Sequence, residues 1–251
     1  MVTLKSTREI ERMRASGRIV AQVLAAMETA IRPGVTTAEL DALAESIITD
    51  HTGARPAFKG YGGFPAAICA SVNEEVVHGI PSKSRTLAAG DIVGIDVGVL
   101  LDGYHADAAR TFAVGDVANG TEALLRVTRQ ALDAGIEAAR PGGFVGDISA
   151  AVQNVAEAAG YSVVRDLVGH GIGQNLHEDP QVPNFGTAGR GLALEPGLVL
   201  AIEPMVNTGG SPVRTLDDEW TIVTADGTLS AHFEHTVAIT DNGPEVLTRA
   251  A

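Results

Sequence analysis

A single cysteine, Cys69, stands in 251 residues, which excludes an intrachain disulfide and a thiolate metal cage and fits a reducing compartment. Long apolar runs are absent too. The opening MVTLKSTREIERM has no apolar core of the kind a signal peptide carries, and no stretch approaches membrane-spanning length, so a cytoplasmic protein is expected. Positive charge is scarce: 18 Lys and Arg against 31 Asp and Glu give −13, which disfavours a nucleic-acid surface and favours solubility. What is present describes an ordinary globular chain, 45% hydrophobic and 20% charged, long enough for one large core or two small ones.

The most informative stretch is Gly90–Thr111, GDIVGIDVGVLLDGYHADAART. Ile92 to Leu101 has the composition of a buried strand, interrupted by one carboxylate, Asp96. Asp102-Gly103 is a strong two-residue hairpin signal, and a return strand is expected from Tyr104 to Val114. A two-residue turn makes Leu101 face Tyr104 and Asp107 face Gly98, so Asp96 and Asp107 lie diagonally on one face, close enough to share an ion. Gly98 is expected to leave the space between them empty. An isolated acid pair on a hairpin more often points at water, but Asp96 sits among Ile95, Val97 and Val99, where an unpaired carboxylate is costly.

Around this hairpin the chain reads twice in the same order. Ser6-Thr7-Arg8-Glu9 has capping-box spacing and opens an amphipathic helix running through Met27, which stops at Arg32-Pro33-Gly34; a second box, Thr36 to Glu39, opens a helix ending near Gly53. Phe58–Pro65 is loop, Ala66–Val72 a short strand, and Asn73–Pro81 leads into the hairpin. A helix then spans about Thr121–Ala139, followed by Arg140-Pro141-Gly142 and a helix from about Gly146 to Ala159. The two Arg-Pro-Gly stops are offset by 108 residues, and Gly90-Asp91-Ile92-Val93 with Ile95-Asp96 matches Gly197-Leu198-Val199-Leu200 with Ile202-Glu203 at an offset of 107. One match on a helix stop is weak, but two in order, with acid on acid, indicate a duplicated αα-β-hairpin unit. The expected organisation is one domain, residues 1–251, with halves of about 1–115 and 116–251.

Two further pieces carry chemistry. VGHGIG places His170 between glycines, with His177 seven residues on, and FEHTVA brings Glu234. Asp96, Asp107, His170, Glu203 and Glu234 together offer four carboxylates and one imidazole, enough to neutralise two divalent cations. Oxygen-rich ligation with one nitrogen suits Mn²⁺, Fe²⁺ or Co²⁺ better than a structural zinc site.

Over nearly its whole length the sequence resembles the type I methionine aminopeptidases of the M24 metallopeptidases, in their short bacterial form. The motifs stand as NEEVVHGIP around His78, GDIVGIDVGV around Asp96, DGYHADAARTF around Asp107, GHGIGQNLHEDP around His170 and His177, AIEPM around Glu203 and FEHTVAIT around Glu234. The resemblance implies the pita-bread fold, an α/β (α+β) architecture with pseudo-twofold symmetry, and removal of the initiator methionine when the second residue is small. It implies that Asp96 chelates one metal, that Asp107 and Glu234 bridge both, and that His170 with Glu203 completes the other. Two cations sharing a water bring its pKa towards about 7, giving hydroxide at neutral pH. Glu203 is then the proton acceptor and donor, His177 the partner of the substrate carbonyl or oxyanion, and His78 that of the following amide.

The same resemblance points to Tyr61, Phe64, Cys69 and Trp220 for the methionine side chain, with His78 on the rim, and to a monovalent cation near Asn73 and Ser230. Nascent polypeptide N-termini and the ribosome are the implied partners, and a monomer is expected. His51, His105, His232 and His235 receive no catalytic role. Leu167 and Leu176 stand where relatives often carry aromatics, which bears on side-chain preference. A proline-specific peptidase of the same fold is the nearest alternative enzyme, but such enzymes usually carry an extra N-terminal domain that 251 residues cannot accommodate. A non-catalytic binding protein would have lost ligands, and a calcium-stabilised structural protein would not use His170.

Overall fold

The computed structural model describes residues 2–249, in which four α-helices pack on one side of antiparallel sheets. Helix α1 (Thr7–Ala30) begins at Ser6 and α2 (Thr37–Thr49) at Thr36, each with a complete capping box closed by Glu9 or Glu39. Helices α3 (Asn119–Ala138) and α4 (Val145–Ala158) occupy the same places in the second half. In α4 only half a box survives: the Asp147 carboxylate accepts from the Phe144 N–H at 2.7 Å, and Phe144 has no oxygen to return the bond.

The expected hairpin forms with the expected register. Ile92–Leu101 pairs with Tyr104–Ala113, Leu101 opposite Tyr104 and Gly98 opposite Asp107. Asp102 and Gly103 both take positive φ, 51° and 81°, as a type I′ turn requires. One detail differs. The space above Gly98 is not empty: a Cβ there would meet Phe58 Cε1 at 2.7 Å and Ala57 Cβ at 2.9 Å. Glycine admits the Phe58 ring, which becomes a wall of the site.

Duplication extends to individual hydrogen bonds. Gly34 N–H donates to Leu87 O and Leu87 N–H to Val35 O; in the second half Gly142 donates to Leu194 O and Leu194 to Gly143 O. The edge pairs Arg55–Leu100 and Pro56–Val99 recur at an offset of 107 as Ser162–Asn207 and Val163–Val206. Each half has its own core. One packs α1 and α2 on the first hairpin through residues such as Val23, Met27, Leu40, Ile48 and Ile95, the other α3 and α4 on the second through Leu132, Ile148, Val152, Leu200 and Val237.

The halves join along their return strands. Thr236 Oγ1 donates to Asp107 O at 2.7 Å and accepts from Asp107 N at 2.9 Å, Thr111 Oγ1 does the same for His232 at 2.9 Å, and Glu234 N–H donates to Ala109 O at 2.9 Å. Two threonine hydroxyls thus stand in for backbone partners and hold the central strands abreast. This seam sets Asp107 and Glu234 at the middle of the molecule, with Asp96 and Glu203 on the strands outside them.

Candidate metal centre

The second hairpin, Val199–Ile202 with His235–Thr240 and Met205–Asn207 with Ser230–His232, is one ladder broken at its middle. Pro204 has no N–H to give, so between Ile202–His235 and Met205–His232 the ladder thins to one bond, Phe233 N–H to Pro204 O at 3.3 Å, and Glu203 and Glu234 oppose each other in the gap. The four acids therefore come from four neighbouring strands onto one face.

That face floors a cavity of about 670 Å³ lined by all eleven residues singled out for metal, catalysis or the methionine pocket. Ligand atoms of Asp107, His170 and Glu234 lie within 4.8 Å of one another, and His170 Nε2 stands 3.6 Å from Glu203 Oε1. The His170 Nδ1 donates to Gly171 O at 2.9 Å, which fixes the tautomer and leaves Nε2 with a free lone pair. Asp96 sits opposite Cys69 in the ladder, on the same face.

Electrostatics indicate what this cluster suits. Burial, followed by repulsion from neighbouring carboxylates, raises Asp96, Glu203 and Glu234 well above the usual carboxylate range, and burial likewise raises Asp107. Burial pushes the His170 imidazole down to about 4, so the ring is neutral at neutral pH. Asp96 Oδ1, Asp107 Oδ1 and Glu234 Oε1 are buried with no hydrogen-bond partner. Orphaned carboxylate oxygens converging beside a neutral imidazole are costly without a cation and well matched to one. The residues fit a divalent transition-metal centre.

Around the floor stand the other sequence candidates. Phe64 is buried and meets Trp220 edge-on at 5.1 Å, joining Phe58, Cys69 and Leu176 in one apolar cluster. Burial, then the nearby acids, pushes the Cys69 thiol up, so it behaves as a small apolar group. Tyr61 is 46% exposed and stands at the mouth, where its hydroxyl bonds His177 Nδ1 at 2.8 Å. His177 lies against His170 with ring centroids 4.3 Å apart, and its loop is tied down by Lys5, which bonds Glu178 at 2.7 Å. His78 holds a left-handed φ of 60°, a strained conformation for a side chain of this size. Asn73 and Ser230 do meet: Ser230 N–H donates to Asn73 O at 3.0 Å.

Several residues escaped the sequence reading. Phe58, Met205 and His232 also line the cavity. Of the four histidines given no catalytic role, His51 bonds Gln22, His105 bonds Gly173 O and His235 bonds Thr248, but His232 opens into the site. Its signal was positional: two residues before Glu234 on a strand, it shares that ligand's face.

Similarity to known proteins agrees with this geometry. Residues 11–241 match the model of metallopeptidase family M24. A curated methionine aminopeptidase of Clostridium acetobutylicum is 55% identical, with 99% of each chain covered, and methionine aminopeptidase 1 of Bacillus subtilis is 52% identical, with 99% of this chain and 100% of the relative covered. The crystal structure of a Thermotoga maritima methionine aminopeptidase superposes with a TM-score of 0.97 at 47% identity, covering 99% of this chain and 100% of that one. A Pyrococcus furiosus prolidase shares the fold, with a TM-score of 0.79 at 24% identity and 66% of that chain covered. The chain belongs to metallopeptidase family M24, among its methionine aminopeptidases.

Proposed function

We propose that this protein removes the N-terminal methionine from newly made polypeptides whose second residue is small, using two divalent cations held by Asp96, Asp107, His170, Glu203 and Glu234. The observation that carries the reading is the cluster of four buried carboxylates and one neutral imidazole at the floor of an apolar cavity. Cations bound there supply a water-derived nucleophile at neutral pH and Lewis-acid polarisation of the scissile carbonyl. Asp107 and Glu234, on the two strands that meet at the seam, would be the residues shared between the cations, and Asp96 and Glu203, one strand further out, would hold one each.

Protons and substrate are handled by the side chains. Glu203 takes the proton released from the nucleophile and returns it to the leaving amine. Burial, then the neighbouring His105, pushes the His177 imidazole down; its Nδ1 bonds the Tyr61 phenol at 2.8 Å, and the tautomer in which the phenol donates leaves an Nε2 proton to offer to the substrate carbonyl and the oxyanion. His78, fixed beside Trp220, receives the amide that follows. The methionine side chain fills the space bounded by Phe58, Phe64, Cys69, Leu176 and Trp220.

A metal-reconstituted sample offered Met-Ala-Ser, Met-Val-Ser, Met-Leu-Ser and Ala-Pro-Ser tests this reading. Free methionine is expected rapidly from the first and more slowly from the second, because a β-branched side chain has little χ1 freedom beside a crowded wall. The last two remain intact. Equal rates on all the Met peptides would make the enzyme a general aminopeptidase, and cleavage of Ala-Pro-Ser alone would make it a proline-specific one.

A further inference from the structure

One buried imidazole in the cavity has no task in the chemistry above. His232 is 4% exposed, its backbone is clamped by the Thr111 hydroxyl, and its Nε2 has no hydrogen-bond partner. The nearest acids are Glu203 Oε2 at 3.8 Å and Glu234 Oε2 at 3.9 Å. These distances discriminate between two arrangements. A charge-assisted hydrogen bond would close to about 2.7–2.9 Å. Donors sharing one ion through bonds of about 2.0–2.2 Å stand further apart, about 3 Å at a right angle and about 4 Å at wide angles. His170, assigned to the metal above, is 3.6 Å from Glu203. His232 faces the same carboxylate from its other oxygen at nearly the same range.

The register adds an independent argument. Gly98 pairs with Asp107 in the first hairpin and Met205 with His232 in the second. Since Met205 stands 107 residues after Gly98, the pseudo-twofold that carries Asp96 onto Glu203 carries Asp107 onto His232. The position that supplies a bridging ligand in one half thus holds a ligand-type side chain in the other.

We propose that His232 is a second nitrogen ligand of the metal centre, giving its Nε2 to the cation that His170, Glu203 and Glu234 hold. The inference rests on the metal-centre reading of this cavity and adds one residue to it. A second imidazole makes that ion's surroundings richer in nitrogen, which favours Co²⁺ and later first-row ions over Mn²⁺.

The test is performed on the full chain loaded with Co²⁺, wild type and His232→Gln, by X-ray absorption at the cobalt edge and by calorimetric titration. Imidazole scattering from two histidines in the wild type and one in the variant is expected, together with a Co²⁺ affinity at one site lowered at least about tenfold in the variant. Should His232→Gln fail to fold, as judged by circular dichroism of the metal-free protein, the wild-type count decides alone. One imidazole in the wild type, or Co²⁺ affinities unchanged in a folded variant, overturns the inference. Failure of the underlying reading is recorded separately, as a wild-type stoichiometry below two ions or as no release of methionine from Met-Ala-Ser.

Discussion

The two hairpins start from one plan and depart from it in opposite directions. In the first, ten-residue strands run unbroken to a two-residue turn at Asp102-Gly103, and the acids sit diagonally, Asp96 opposite Ala109 and Asp107 opposite Gly98. In the second, the ladder thins at Pro204, Glu203 faces Glu234 directly, and residues 209–228 stand where the first half has only the two turn residues, since Thr208 N–H still donates to Leu229 O. That excursion forms the pair Val213–Thr215 and Ile222–Thr224, lies against Glu75–Val77 of the first half, and carries Trp220 to the cavity wall. The first half is therefore the regular frame, and the second carries the elaborations: a broken ladder, an added arm, and His170 where the register of the first half has Ser71. Duplication explains where the carboxylates are. The departures explain why the site has an inside and an entrance.

If the seam strands do serve both cations, the largest effect should come from a single charge removed there. Asp107→Asn keeps the shape of the side chain and is expected to lower kcat/KM by at least about 10³-fold, about 4 kcal/mol of transition-state stabilisation, with circular dichroism unchanged. Normal turnover at matched metal loading would show that the two halves do not share a centre.

His78 and His177 occupy equivalent places in the two halves. Ser71 pairs with Gly94 and His170 with Ala201, 107 residues on, and each of the two histidines follows seven residues later. The proposed mechanism gives these equivalent places unequal work. His177→Ala is expected to lower kcat about 10²–10³-fold with little change in KM, as for a donor whose bond strengthens in the transition state, and His78→Ala to cost less in kcat and more in KM. Identical steady-state profiles would mean that the symmetry persists in function.

A smaller effect concerns the acids of both halves together. Asp96, Asp107, Glu203 and Glu234 have raised pKa values in the metal-free fold, so their contribution to stability is present below about pH 4 and is lost as pH rises towards their folded values. His170 and His232, lowered to about 4 and about 3 by burial, contribute fully above their unfolded value near 6.5 and lose that contribution as pH falls below it. Above about pH 7.5 the unfolded histidines are already neutral while the carboxylates still change, so the melting temperature of chelator-treated protein should fall between about pH 7.5 and 8.5, and added Co²⁺ or Mn²⁺ should flatten the decline. A metal-free melting temperature that rises across the window would contradict a cluster of mutually repelling acids.

Much of this was legible in the residues because local signals agreed with the fold. The capping boxes at Ser6 and Thr36 placed the starts of two helices to the residue, although the second ends at Thr49 and not near Gly53, and Asp102-Gly103 fixed a register that put Asp96 and Asp107 on one face. Where local chemistry was silent the reading drifted. Helix α3 begins at Asn119 without a side-chain cap, and its start was expected two residues later, at Thr121. The Asp96–Glu203 match traced only the outgoing strands, so the displacement of the return strand by the 209–228 arm went unseen. Gly98 looked like vacant space because its occupant, Phe58, comes from a distant loop. His232 was passed over because a histidine beside a ligand looks like strand alternation until the opposite strands are in place.

If two unequal halves jointly hold one dinuclear centre, anomalous diffraction from crystals soaked in Mn²⁺ will locate both ions and name their ligands. The expected result is two peaks about 3.5–4 Å apart, with Asp107 from the first half and Glu234 from the second each contacting both. A single peak, or two whose ligands come each from one half alone, would contradict it.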